Sequence, residues 1–454
     1  CGSTGIDFGM VSGLSETIAY QYTQLSEKAP VLFPCALRLQ ALHGENGSPR
    51  ADGNRSHASV SQNRFQGDSM GSALQTATLE NWREHPYSVW GFTHVDSLIP
   101  VVPVPTAPPL SPLRQGKPLD LARLAIVWAG GRRSAEAALE ETYTDGFLVL
   151  KDGEVVAERL INQTADARHI VFSVSKSITA ALAGILVKGG KLDPEALVSR
   201  YVPEVEGSAY ADATVRHVLD MVVSIRFVED YLDPQGDVAR YRAAMGWNPP
   251  GAIQGADGIN AFVTSLPKAD HPHGRRFHYV SPNSDLLGWI IERAAGESFA
   301  ELLSRLVWKP MGMAHDACIT VDRHGAPRTA GGLCVSLGDL ARFGEMMRNK
   351  GRFNGQRIVP EEWVNDILLK GDAAAWSRGE MVNLFPDGRY RSKWYVPDPS
   401  SSVLCAIGIH GQWIYIDYDA GMVAVKQSSQ PVPADEALDN LTYAMLQAIA
   451  DELR

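Results

Sequence analysis

The chain has 454 residues, 45% of them apolar, and a formal net charge of -10. That length allows two to four domains, or one large domain with a second lobe, and a large buried core. The acidic balance and the lack of any basic run of five or six residues exclude a nucleic-acid surface, and no apolar run of about 18 residues marks a membrane span.

Residues 1 to 69 show no sustained apolar period and are rich in Ser, Gly, Asn and Gln after residue 42, so they read as a poorly structured or accessory segment. Residues 70 to 140 read as a strap and helical lead-in, because the stretch from Leu98 to Pro118 is too proline-dense for a helix. From 141 to 454 the pattern is that of a catalytic domain. Two β-rich runs flank Asp152-Gly153 within 146–160, and two more flank Asp419-Ala420-Gly421 within 413–429, each a hairpin signature. Residues 176 to 188 are apolar almost all round and stop at Gly189-Gly190, as a buried helix does. Further helices are predicted at 213–222, 282–296, 298–308, 337–349, 360–370 and 435–454. The fold class is therefore α/β (α+β): an antiparallel sheet collecting both hairpins, helices on its faces, and a helical lobe over about 173–340 inserted between the sheet-forming segments. A site is expected at the seam of the lobes.

Cys1, Cys35, Cys318, Cys334 and Cys405 are odd in number and carry no ligand-like spacing, so they read as reduced structural thiols. A cytoplasmic location is expected. The alternative is a periplasmic or lipid-anchored protein, since a mature lipoprotein also begins with Cys, as here at Cys1. His271-Pro272-His273 lacks a third ligand and reads as a solvated loop.

The chemistry centres on Ser173 and Lys176. A serine hydroxyl needs a base within hydrogen-bond reach, and i, i+3 spacing at the head of a helix places a lysine there. The positive helix end favours an oxyanion at Ser173, while burial favours a neutral amine at Lys176. S-x-x-K alone is common. The chain holds a second copy, Ser265 to Lys268, in which Pro267 disfavours a helix. The alternative for the first copy is a capping serine beside a snorkelling lysine. Tyr279, ahead of the 282–296 helix, could relay a proton, with Ser281 or Asn283 orienting it. The Gly-rich entry at 406–412 offers a backbone N–H as oxyanion donor. His410 lies in the same stretch, as a substrate-binding candidate or as a structural residue.

FSVSK, then Tyr-x-Ser before LLGWIIER, then GIHGQ, in this order, resembles the class C β-lactamase-like serine hydrolases. These include penicillin-binding carboxypeptidases, family VIII esterases and 6-aminohexanoate-dimer (nylon-oligomer) hydrolases. The resemblance is strongest to the last group and spans about four-fifths of the chain, from LENWREHPYSVWGF through EDYLDP and FPDGRYRSKWY to VKQSS. It implies Ser173 as acylated nucleophile, Lys176 as base, Tyr279 as proton shuttle, and the N–H groups of Ser173 and Ile409 as the oxyanion hole. It further implies substrate contacts from Tyr231 and Trp247, no metal or organic cofactor, and a small ester or amide substrate. A homodimer is compatible with it. Two departures matter. Ala406-Ile407-Gly408 replaces the Lys-Thr-Gly of β-lactamases, which argues against strong β-lactam hydrolysis. Arg240 and Arg242 follow Tyr231 where an ammonium pocket would want a carboxylate, so a carboxylate-bearing or neutral substrate is the alternative. Competing functions are a DD-peptidase or weak β-lactamase, and a non-catalytic penicillin-recognition-like interaction protein.

Overall fold

In the computed structural model, which describes residues 77–454, both expected hairpins form and join edge to edge. The first pairs β2 (Thr144–Lys151) with β3 (Glu154–Leu160). Asp152 and Gly153 turn it at φ 49° and 82°, the two positive dihedrals of a tight hairpin turn. The second pairs β7 (Gln412–Asp417) with β8 (Met422–Ser428). With β1 (Arg114–Gln115), β4 (Arg389–Arg391), β5 (Trp394–Val396) and β6 (Val403–Gly408), they make an eight-stranded sheet in the order β4-β5-β6-β7-β8-β2-β3-β1. Neighbours are antiparallel except β1 against β3.

The sheet is covered on both faces. Phe147 and Val149 of β2 join the core under α4 (Glu436–Leu453), with Leu446 and Ile449. Leu148 and Leu150 point the other way, into the core of α1 (Val174–Lys188) and α3 (Leu337–Arg348), with Ile178 and Phe343. This is the period-two alternation of a strand buried on both sides.

The helix predicted at 176–188 starts two residues earlier, at Val174, and the other predicted helices occur with trimmed ends. The 213–222 helix is only Val215–Leu219. Thr214 caps its start by accepting from the His217 amide, and Met221 at φ 56° ends it. The 282–296 helix is α2 (Pro282–Ala295), closed by Gly296 at φ 73°. The 298–308 helix is α-helical only to Leu303 and continues as a π turn. The segment 173–340 is not wholly helical. Ala317–Thr320 and Leu333–Val335 are strands of a second, four-stranded sheet, with Val101–Val104 and His169–Ile170 at its edges. Part of the proline-rich strap is thus a paired strand, and its Pro103 is tolerated because the strand is an edge.

Cys318 and Cys334 face each other across that sheet as buried thiols, and Cys405 is a third. The accessory segment, Cys1 and Cys35 lie outside the described residues. Among the described residues no helix is long and apolar enough to cross a membrane. His271 is half-buried with its Nδ1 against the Pro272 carbonyl, and His273 bonds the Ser224 amide and Asp212 rather than a shared ligand set with it.

Candidate active site

Ser173 is the first residue before α1, and its hydroxyl does not cap the helix. That removes the capping alternative. Phe172, immediately before it, is held at φ 40°, an unfavourable backbone state for a bulky residue. Lys176 is buried one turn on, and its Nζ lies 2.6 Å from Ser173 Oγ. The amine also donates to the Ala330 carbonyl at 2.7 Å. Burial is the main force on it and pushes its pKa down to about 7, with the Arg328 charge adding to the fall and Glu229 and Asp285 opposing it. The pair therefore holds a substantial neutral-amine population near neutral pH.

Ala330 is pinned from the other side. Its N–H donates to Asp285 Oδ1 at 2.7 Å, and Asp285 forms a buried ion pair with Arg328 and accepts from the Tyr241 hydroxyl. Asp285 stands on α2, so two helices and the loop before Leu333 fix one lysine.

Tyr279 lies beside the Ser173 hydroxyl and the Tyr395 phenol, and its ring centroid is 5.2 Å from Lys176 Nζ. Burial, reinforced by the Glu229 charge, raises its pKa well above the ordinary phenol value. It rests as a neutral phenol, a proton donor, and not as a phenolate.

β6 ends at Gly408 against the backbone of Ser173. A Cβ at Gly408 would stand 2.8 Å from the Val171 carbonyl and 3.1 Å from the Ser173 nitrogen. Ile409 then lines the cleft. Among the described residues neither the Ser173 nor the Ile409 amide donates to a backbone carbonyl, and both residues line the cleft. Gly408→Ala has to push a backbone carbonyl aside. It is expected to cost about 1–3 kcal/mol of stability and to lower kcat out of proportion, read by thermal melting and ester turnover together.

Tyr231, Trp247 and Ser281 line the same cleft. Their organiser is Glu229, a residue the sequence reading passed over. It accepts from the Tyr231 hydroxyl at 2.7 Å, from the Ser281 amide at 2.8 Å and from the Ser281 hydroxyl. Asn283 is elsewhere, buried and accepting from the Tyr210 hydroxyl at 2.8 Å. The second S-x-x-K is dispersed: Ser265 bonds the Phe262 carbonyl and Lys268 pairs with Asp212.

His410 needs correction as a substrate-binding candidate. It does not line the cleft. The chain turns at φ 60° there and sends the imidazole between Phe92 and Phe172, at centroid distances of 5.0 and 5.3 Å. Its Nδ1–H donates to the Gln430 carbonyl at 2.7 Å. Burial pushes its pKa down to about 3, so it stays neutral as part of the packing. Arg240 also leaves the cleft and pairs with Asp237, whereas Arg242 lines it.

The Beta-lactamase family profile matches residues 132–449. The chain is 37% identical over 364 residues to the 6-aminohexanoate-dimer hydrolase of Paenarthrobacter ureafaciens, covering 80% of this chain and 91% of that protein. A Bacillus anthracis structure provisionally named as the same hydrolase superposes at a TM-score of 0.76 with 26% identity, covering 84% of this chain and 97% of that one. A family VIII carboxylesterase shares the fold at a TM-score of 0.50 and 15% identity, over 74% of this chain and 99% of its own. The chain thus has the fold of a superfamily that contains amidases and esterases, and with the match spanning 132–449 it belongs to the β-lactamase family of serine hydrolases.

Proposed function

We propose that the protein hydrolyses an ester or linear amide through a covalent acyl-enzyme on Ser173. The observation that carries this reading is the 2.6 Å approach of a buried lysine with a pKa near 7 to the serine oxygen. Ser173 Oγ attacks the carbonyl carbon as its proton passes to neutral Lys176. The negative oxygen of the tetrahedral intermediate sits on the N–H groups of Ser173 and Ile409, helped by the positive end of α1. As the intermediate collapses, the Tyr279 phenol gives its proton to the departing alkoxide or amine nitrogen and is recharged from the Lys176 ammonium. Water then attacks the acyl carbon, its proton returns along the same pair, and the acid leaves with Ser173 restored.

The 37%-identical relative is named for cleaving 6-aminohexanoate dimer, which supports including linear amides in the substrate class. The missing sheet-edge lysine at 406–408 supports placing β-lactams outside it. A fluorophosphonate probe is expected to add once, on the peptide holding Ser173, and to stop hydrolysis of p-nitrophenyl butyrate. A folded protein that takes no label and leaves that ester intact would overturn the reading.

A further inference from the structure

The cleft wall carries more positive charge than it neutralises. Three guanidinium groups line it, Arg83, Arg242 and Arg328. Arg328 is matched by Asp285. The wall carboxylate, Glu229, is already engaged by Tyr231 and Ser281. Arg83 and Arg242 rest on neutral acceptors only. Arg83 donates to the Trp247 carbonyl at 2.7 Å and to Asn248 Oδ1 at 2.9 Å. Arg242 donates to the Tyr231 carbonyl at 3.2 Å and lies 5.8 Å from the Tyr231 ring centroid. Neither has a carboxylate in ion-pair reach among the described residues.

Such an arrangement costs free energy. Both side chains are half-buried, and a partly desolvated charge without a counter-ion is unfavourable, two of like sign more so. The strain registers on Arg83, whose pKa is pushed down to about 9, by burial first and by the Arg242 charge next. Burial also lowers Arg242. An anion entering the cleft would relieve both groups. A carboxylate suits them best, because its two oxygens match the planar fork of a guanidinium.

We infer that Arg83 and Arg242 bind a free carboxylate on the substrate, making the preferred substrates esters or linear amides with an acid group on one arm. This rests on the hydrolase reading above and adds the substrate class to it. The same charge balance disfavours a substrate ammonium at this wall, since Glu229 already accepts three hydrogen bonds and two arginines line the same cleft.

The test uses matched substrates. Mono-p-nitrophenyl glutarate against p-nitrophenyl butyrate places the acid on the acyl arm. 4-Butyryloxybenzoate against its carboxamide places it on the leaving arm. Each enzymatic rate is divided by uncatalysed hydrolysis, because a glutarate carboxylate assists its own ester. For at least one pair, kcat/KM should favour the acid by roughly 10- to 100-fold, the range of a charge-assisted hydrogen-bond pair. Arg83→Gln or Arg242→Gln should bring that ratio towards one, and Arg242→Lys should keep part of it. No preference in either pair, or a preference that survives both glutamine variants, overturns the inference. Ser173 labelling in the wild type separates the two levels. Labelling with no acid preference removes the carboxylate site alone, and no labelling removes the hydrolase reading with it.

Discussion

Ser173→Ala is expected to remove turnover of p-nitrophenyl butyrate by roughly 10⁴-fold or more, the scale seen when a nucleophile is deleted from a working site. The folded state should barely change. The lost hydroxyl caps no helix turn and sits at the cleft, where a small void opens to solvent. Ser265→Ala is the fitting control, since that hydroxyl meets only the Phe262 carbonyl in the chance copy of the motif. Ser175→Ala is a poorer one. Ser175 Oγ accepts from the Leu333 amide at 3.2 Å and so helps hold the second sheet. Retention of more than about a hundredth of wild-type turnover in Ser173→Ala, on a scale where base or nucleophile loss costs far more, would rule out the acyl-enzyme.

Lys176 gives the second large effect, and its sign follows from its pKa. The base must be neutral to accept a proton, and its pKa lies near 7. Below that value the neutral fraction falls about tenfold per pH unit, and above it the fraction saturates. The profile of kcat/KM should therefore rise from pH 5 to about 7 and level off. Lys176→Arg, charged at every accessible pH, should be as inactive as Ser173→Ala throughout, and the double variant no worse than either, because the two groups act as one unit. Other groups compete poorly as the source of this limb. His410 titrates near 3. Lys426 is also pushed to about 7 by burial, but its amine bonds the Thr142 and Gly411 carbonyls away from the cleft, so it would move stability and not the chemical step. A flat profile between pH 5 and 8 in a folded enzyme would contradict the assignment.

What the sequence displayed and what it hid divide along a physical line. The hairpins were legible because Asp-Gly and Ala-Gly turns act locally. The pairing of Ser173 with Lys176 was legible because helix geometry fixes i, i+3 neighbours. The strand at Val101–Val104 was not, since its partner at Ala317–Thr320 lies over two hundred positions along the chain. Arg83, Asp285 and Ala330 were hidden for the same reason, since each acts through a residue brought to it by folding, and Glu229 bonds its near neighbour Tyr231 but reaches Ser281 only across 52 positions. His410 misled because a Gly-rich entry suggests exposure to ligand. Ile409 takes the cleft side, and the left-handed turn at 410 directs the next side chain into the aromatic packing.

The bond from Lys176 to the Ala330 carbonyl has one more consequence. A lysine is a poor choice of base on entropic grounds, because a free side chain samples many rotamers and few of them aim nitrogen at a serine. Ordering such a chain costs up to about 1.5–2 kcal/mol. Here that loss occurs once, when the protein folds, because one N–H is already tethered to a carbonyl that Asp285 holds in place. The remaining valences of the amine then have a fixed bearing on Ser173, and the most mobile of the common bases meets each substrate as a rigid one.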